Sequence, residues 1–97
     1  MPFYITLFNY TEQGVRNIKE SPQRVASFKA EVEKAGGKVI GFYYTFGEYD
    51  GVTIIEGPND ETAMAVLLGV GRAGNVRTKT LKAFSEAEAA KLIESLP

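Results

Sequence analysis

Residues Phe3 to Tyr10 read FYITLFNY, with Phe3, Ile5 and Leu7 on one side of an extended chain and Tyr4, Thr6, Phe8 and Tyr10 on the other. The run is rich in aromatic and β-branched residues, which favour strands. Successive strand side chains point to opposite faces, so this is a strand with two largely apolar faces. Such a strand needs cover from both sides, and that requirement constrains everything the remaining residues can build.

The next segments supply part of the cover. TEQGVRNIKE reads as a short helical turn. Ser21-Pro22 then offers a helix N-cap with proline at the first helical position, Val25, Phe28, Val32 and Ala35 recur at helical spacing, and Gly36-Gly37 ends the helix. KVIGFYYTF and YDGVTIIE form two strands joined at Gly47-Glu48, a pair suited to a type II′ hairpin turn. With Phe46 facing Tyr49, that turn places Ile40, Phe42, Tyr44, Tyr49, Gly51, Thr53 and Ile55 on one face. Val39, Gly41, Tyr43, Thr45, Asp50, Val52 and Ile54 fall on the other. Pro58-Asn59-Asp60 opens a second helix with the stripe Ala63, Val66, Leu67 and Val70, fading at Gly69, Gly71 and Gly74. VRTKTLKAF is a fourth strand, its Lys79 and Lys82 marking an exposed edge. Ser85 to Glu88 matches a capping box, with Phe84 and Ala89 placed for a hydrophobic staple, ahead of a closing helix that ends near Leu96.

The order β, α, β, β, α, β, α predicts an α+β chain: a ferredoxin-like βαββαβ unit with a four-stranded antiparallel sheet and a C-terminal helix, forming one domain over residues 1–97. Two helices cover one face of such a sheet, yet the strands are apolar on both. Burying several hundred square ångströms of the second face contributes on the order of 10 kcal/mol before ordering costs. A second copy of the sheet is the simplest lid. The expectation is a homodimer or higher homo-oligomer, a dimeric α/β barrel with a cavity between the sheets.

Composition narrows the chemistry. The chain has no cysteine and no histidine, which removes disulfides, thiolate nucleophiles, imidazole bases and the usual zinc or haem ligands. No cofactor and no metal are expected. A net charge of -1 gives no long-range positive field to gather phosphates, so nucleic acid is not an expected partner. RNA binding in the manner of an RRM fails also because YDGVTIIE lacks the glycine-aromatic run that stacks bases. No basic leader precedes an apolar stretch and no span approaches about 18 apolar residues, so no membrane association is expected and the cytoplasm is the expected compartment.

Three segments, YTEQGVRNIKESPQR (Tyr10 to Arg24), GGKVIGFYYTFGEYD (Gly36 to Asp50) and GNVRTKTLKAF (Gly74 to Phe84), give the chain a resemblance to the GYD-domain family over nearly its whole length. The resemblance implies a ferredoxin-like, dimeric α/β-barrel-type domain, common in bacteria and without an established family-wide activity. Gly51 stands where the resemblance implies a bulky apolar residue, so packing after Tyr49-Asp50 is expected to differ locally.

Asp50 is the most informative single residue, because aspartate is depleted in strands and this one precedes an apolar run. The hairpin register sets it across from Thr45 and diagonal to Tyr43, where a carboxylate, a hydroxyl and a phenol could orient a ligand. The competing account is that Asp50 satisfies backbone amides near the turn or meets an arginine in a structural pair. Arg16, Arg24, Arg72 and Arg77 offer guanidinium groups suited to carboxylate or phosphate; Arg16 and Arg77 lie in the family-like segments and complete the candidate ligand set with Tyr43, Thr45 and Asp50. Structural ties to acidic neighbours are the competing account of the arginines. The aromatics Phe42, Tyr44, Phe46 and Tyr49 read as core or interface. GVGRAG superficially matches a phosphate-binding loop but follows a helix and enters a strand, the reverse of a dinucleotide fingerprint. The resulting expectation is a homo-oligomeric binding or interaction domain, with a small apolar or aromatic carboxylate as ligand. The alternative is a small cofactor-independent enzyme of the isomerase or monooxygenase type, using Asp50, Tyr43 and an arginine.

Overall fold

In the computed structural model, which describes residues 1–97, β1 (Phe3–Tyr10) lies between two antiparallel neighbours, β3 (Gly51–Glu56) and β4 (Val76–Ala83). β2 (Lys38–Tyr44) pairs antiparallel with β3, so the sheet order is β2-β3-β1-β4. Between the strands run α1 (Glu12–Arg16), a 3-10 turn (Ile18–Glu20), α2 (Ser21–Lys34) and α3 (Asp60–Ala73), and α4 (Glu86–Glu94) closes the chain. The main elements thus follow the expected βαββαβ order, and β4 is an edge strand, in keeping with its lysines.

Local chemistry explains the boundaries. Thr11 caps α1 by accepting from Gly14 N, and Asn59 caps α3 by accepting from Thr62 N. α3 runs through Gly69 and Gly71 and stops where Gly74 adopts φ +83°, a left-handed conformation that glycine enters without steric cost. The capping box of α4 is formed, with Glu88 N donating to Ser85 Oγ at 3.1 Å and Ser85 N to Glu88 Oε1 at 2.8 Å. Those bonds hold the Glu88 carboxyl below the usual range.

The two faces of the sheet have different fates. Tyr4, Thr6 and Phe8 of β1 and Thr53 and Ile55 of β3 are buried beneath α2 and α3. Val32 is the α2 residue most fully enclosed, while Val66, Leu67 and Val70 of α3 are half-buried. On the far face three rows cross the sheet in register: Tyr43, Val52, Leu7 and Lys79; Gly41, Ile54, Ile5 and Leu81; Lys38, Glu56, Phe3 and Ala83. No element of the chain covers them, and Tyr43 and Leu81 are 59% and 56% exposed.

The hairpin register holds from Tyr44↔Gly51 to Gly41↔Ile54 and then breaks. A bulge at Ile40 pairs Val39 with Ile55, which returns Val39 to the helix-covered face instead of the far one. One extra residue reverses the facing of what lies beyond it. The turn also differs from the expected two-residue form. The ladder stops at Tyr44 and Gly51, Thr45 N donates to Asp50 O at 2.9 Å, and Phe46 is wholly exposed in the six-residue loop between. Phe46 and Tyr49 therefore do not face each other across the strands.

The small residue at Gly51 has a packing cause. A Cβ there would overlap Phe8 Cζ and sit 2.9 Å from Tyr43 O, so the Phe8 ring occupies the volume a side chain would need. Phe8 in turn meets Phe42 at a 5.5 Å ring separation and Tyr10 edge-on at 5.8 Å. Gly51→Ala is expected to destabilise the fold by about 1–3 kcal/mol through overpacking. Gly71→Ala, at a helical site with nothing within 4 Å, is expected to stabilise it by about 0.4–1 kcal/mol. Paired urea titrations check both signs.

Candidate functional site

The residues expected to bind a ligand together are dispersed. Arg16 ends α1, exposed and without an ion pair. Tyr43 lies on the far face at the β2 edge and Arg77 opposite Asn9 on β4 at the other edge. Three strand spacings of about 4.8 Å separate those edges, roughly 14 Å between the backbones. Thr45 Oγ1 donates to Tyr49 O at 2.6 Å.

Asp50 joins the hairpin to the end of β1. Its amide donates to Phe8 O at 2.9 Å and Asn9 Oδ1 at 3.1 Å, and its carboxylate accepts from Tyr10 N at 2.9 Å. The carboxylate thus satisfies a backbone donor beyond the last β3 pair. This is the backbone role, and Thr45, whose amide donates to Asp50 O at 2.9 Å, lies across from Asp50 as the hairpin register places it.

Sequence reasoning missed a tie at the opposite end of β1. Tyr4 Oη donates to Asp60 Oδ1 at 2.5 Å, and Lys82 Nζ reaches the same carboxylate at 3.1 Å, the one ion pair in the chain. Tyr4 and Lys82 are register partners on the helix-covered face, and Asp60 is the first residue of α3, so one carboxylate fastens two strands and a helix start. Burial, and then the bond to Asp60, push the Tyr4 phenol up to about 12. The Tyr4 and then the Lys82 hydrogen bonds hold Asp60 below the usual carboxylate range.

A larger feature lies between the helices and the sheet. α2 and α3 splay apart over the covered face and leave a groove of about 790 Å³. Its floor includes Thr6, Phe8 and Thr53, and its walls are the inward faces of the two helices. Thr6 Oγ1 and Thr80 Oγ1 satisfy each other at 2.9 Å, and Thr53 Oγ1 donates to Gly41 O at 2.8 Å, so the hydroxyls of the floor are already engaged. One end is polar. Ser21 Oγ lies 3.2 Å from Tyr10 Oη and 3.0 Å from Tyr44 Oη, one turn from Arg24. Ser21 does not cap α2, as its type and place suggest; it is the first residue of the helix, with its hydroxyl turned inward to the two tyrosines. Arg24 Nη1 donates to Asn17 O at 2.9 Å, whereas Arg24 Nη2 is shielded from solvent with no partner in the chain. The sequence does carry a signal for this: Arg24 sits three residues after Ser21 and four before Phe28, on the inward stripe.

The family model of the GYD domain matches residues 4–93. A Thermus thermophilus protein named glutamine synthetase and cystathionine beta-lyase binding protein is 30% identical over 89 residues, covering 91% of this chain and 94% of the relative. A crystal structure of a protein from the same organism superposes with a TM-score of 0.54 at 22% identity, covering 88% of this chain and 95% of the other, a likeness of fold.

The tie at Tyr4 makes the protein sensitive to alkali in a defined way. A phenol with a raised folded pKa contributes stability that is complete below the unfolded value near 10.0 and is lost as pH rises toward about 12. Asp60, with a depressed folded pKa, contributes above the unfolded value near 3.8 and loses its share as pH falls through the folded one. The stability advantage of wild type over Tyr4→Phe is therefore expected to be flat near neutrality and to narrow at both extremes, which urea titrations across the pH range check.

Proposed function

This chain belongs to the GYD-domain family, and from that premise we propose that it is an interaction domain whose far sheet face is the docking surface, first for a second copy of itself. The observation that carries this reading is the uncovered apolar face, with Ile5, Leu7, Val52, Ile54 and Leu81 at its centre. The surface area supports it. A compact monomer of 10.6 kDa exposes about 5,500 Å², and this chain exposes 6813 Å². The excess exceeds the roughly 800 Å² per partner of a standard interface. Two such sheets face to face give a dimeric α/β barrel, with Tyr43 and Lys79 at the two ends of the row through Val52 and Leu7.

The Thermus relative, named for binding glutamine synthetase and cystathionine β-lyase, supports protein partners beyond the second copy. Enzymes of those two kinds are the first to test with the assembled protein. No helix of the chain is long and apolar enough to cross a membrane.

Light scattering is expected to give a dimer or larger species at micromolar concentration. Leu81→Glu, placing a charge at a half-exposed far-face position on the edge strand, is expected to weaken association at least tenfold, since desolvating an unpaired carboxylate costs more than about 1.4 kcal/mol, with an unchanged far-ultraviolet spectrum. A wild-type monomer at that concentration overturns the reading.

A further inference from the structure

We propose that α4 is an exchanged arm: the stripe of Ala89, Leu92 and Ile93, continued by Leu96, packs into the groove between α2 and α3 of a second copy of this chain. The contact lies on the side of the sheet opposite the docking face and does not depend on that reading.

α4 has nothing to rest on within its own chain. None of its 9 residues is buried, and Leu92, Ile93 and Leu96 are all more than half exposed. Ala89, Leu92, Ile93 and Leu96 fall at i, i+3, i+4 and i+7, the spacing of a helix face that packs against another surface. An isolated helix shorter than about 12–15 residues is marginal in water, and most helices in proteins owe their stability to a packed amphipathic face. The capping box fastens only the first turn of α4. A helix this short with an apolar stripe therefore calls for a surface to cover it.

The groove matches that need. Its border along α2 from Ser21 to Glu31 is about 15 Å long at 1.5 Å per residue, and α4 is about 14 Å long by the same measure. Phe28, Val66 and Val70 line it, and the hydroxyls of Thr6, Thr53 and Ser21 are engaged within the chain, so the groove favours apolar side chains. An amphipathic helix laid into an apolar groove is a recurrent mode of recognition. The chain's own α4 does not reach it. β4 ends at Ala83, opposite Phe3, whereas the groove floor lies toward Tyr10. α3 rests on β4, with its first residue tied to Tyr4 and Lys82, and so stands between that end and the groove. Phe84 and Ser85, which link β4 to α4, span about 7 Å, less than the width of a helix at about 10–12 Å. A second copy supplies the arm instead, one for each groove. The surface area agrees: 6813 Å² against about 5,500 Å² for a compact monomer leaves about 500 Å² beyond the roughly 800 Å² that one standard interface takes from each partner.

A nitroxide on Lys91→Cys, in a chain otherwise free of cysteine, tests the contact when that full-length chain is mixed with isotopically labelled wild type. Broadening of the wild-type amides of Val25, Phe28, Val66 and Val70 is expected, and only a second copy can cause it. Leu92→Gln together with Ile93→Gln in the spin-labelled chain changes two exposed side chains and so spares the fold. That pair is expected to weaken the contact at least tenfold, as the loss of central apolar anchors does at interfaces. Val70→Trp, which fills the groove of the isotopically labelled chain, is expected to do the same. Leu81→Glu, on the other side of the sheet, is expected to leave the groove broadening in place. The arm is overturned by absent intermolecular broadening, by broadening confined to the far-face rows of Ile5 and Leu7, or by groove broadening that survives the glutamine pair or disappears with Leu81→Glu. An assembly weakened by Leu81→Glu but not by the glutamine pair leaves the docking face standing without this arm, and the reverse leaves the arm standing without the docking face.

Discussion

β1 is hydrogen-bonded on both edges and apolar on both faces, and the rest of the structure follows from that condition. A central strand has no solvent-facing edge to carry charge, so its two faces must be buried by packing. The chain commits both long helices to Tyr4, Thr6 and Phe8 and has nothing left for Ile5 and Leu7. α4 does not close the gap, because it makes at most marginal contact with the other elements and leaves Leu92, Ile93 and Leu96 exposed. The radius of gyration, 14.7 Å against about 12.5 Å for a compact chain of this length, reflects the same shortage of material.

Much of this is legible in the sequence because it rests on local chemistry. The two faces of β1, the hairpin pairing from Gly41 to Tyr44, the inward stripe of α3 and the capping box at Ser85 depend on periodicity or on residues three apart, and all are present. What is not legible depends on tertiary contact. The bulge at Ile40 changes the facing of Val39, and nothing in KVIGF distinguishes a bulged strand from a regular one. The space a side chain at Gly51 would need is filled by Phe8, more than forty residues earlier. Ser21 is a suitable cap by type, but two tyrosines from different strands claim its hydroxyl first.

The candidate site shows the same division more sharply. Asp50 stands out in the sequence for good cause, since a carboxylate at the head of an apolar strand requires a reason; the reason is Tyr10 N, a backbone donor whose position only the folded sheet defines. Thr45 does lie across from Asp50, whereas Arg77 sits on β4 at the other edge of the sheet, a placement set by strand order. Arg24 closes the first family-like segment and reads in sequence as a structural tie, although its helical phase already points inward.

The two unfilled regions share one strand. Thr6 and Phe8 form the floor of the groove, and Leu7, between them in sequence, belongs to the far face. A layer laid over the far face would pack against β1 beneath that floor, while the aromatic set of Phe8, Phe28 and Phe42 joins one groove wall to it. Coupling between docking and groove occupancy would run through β1 and β3, where Thr6, Phe8 and Thr53 of the groove floor alternate along the chain with Leu7, Val52 and Ile54 of the far face. Gly51 lies in the covered-face row of Phe8 and Tyr44, so a side chain there would displace the ring that forms part of the groove floor.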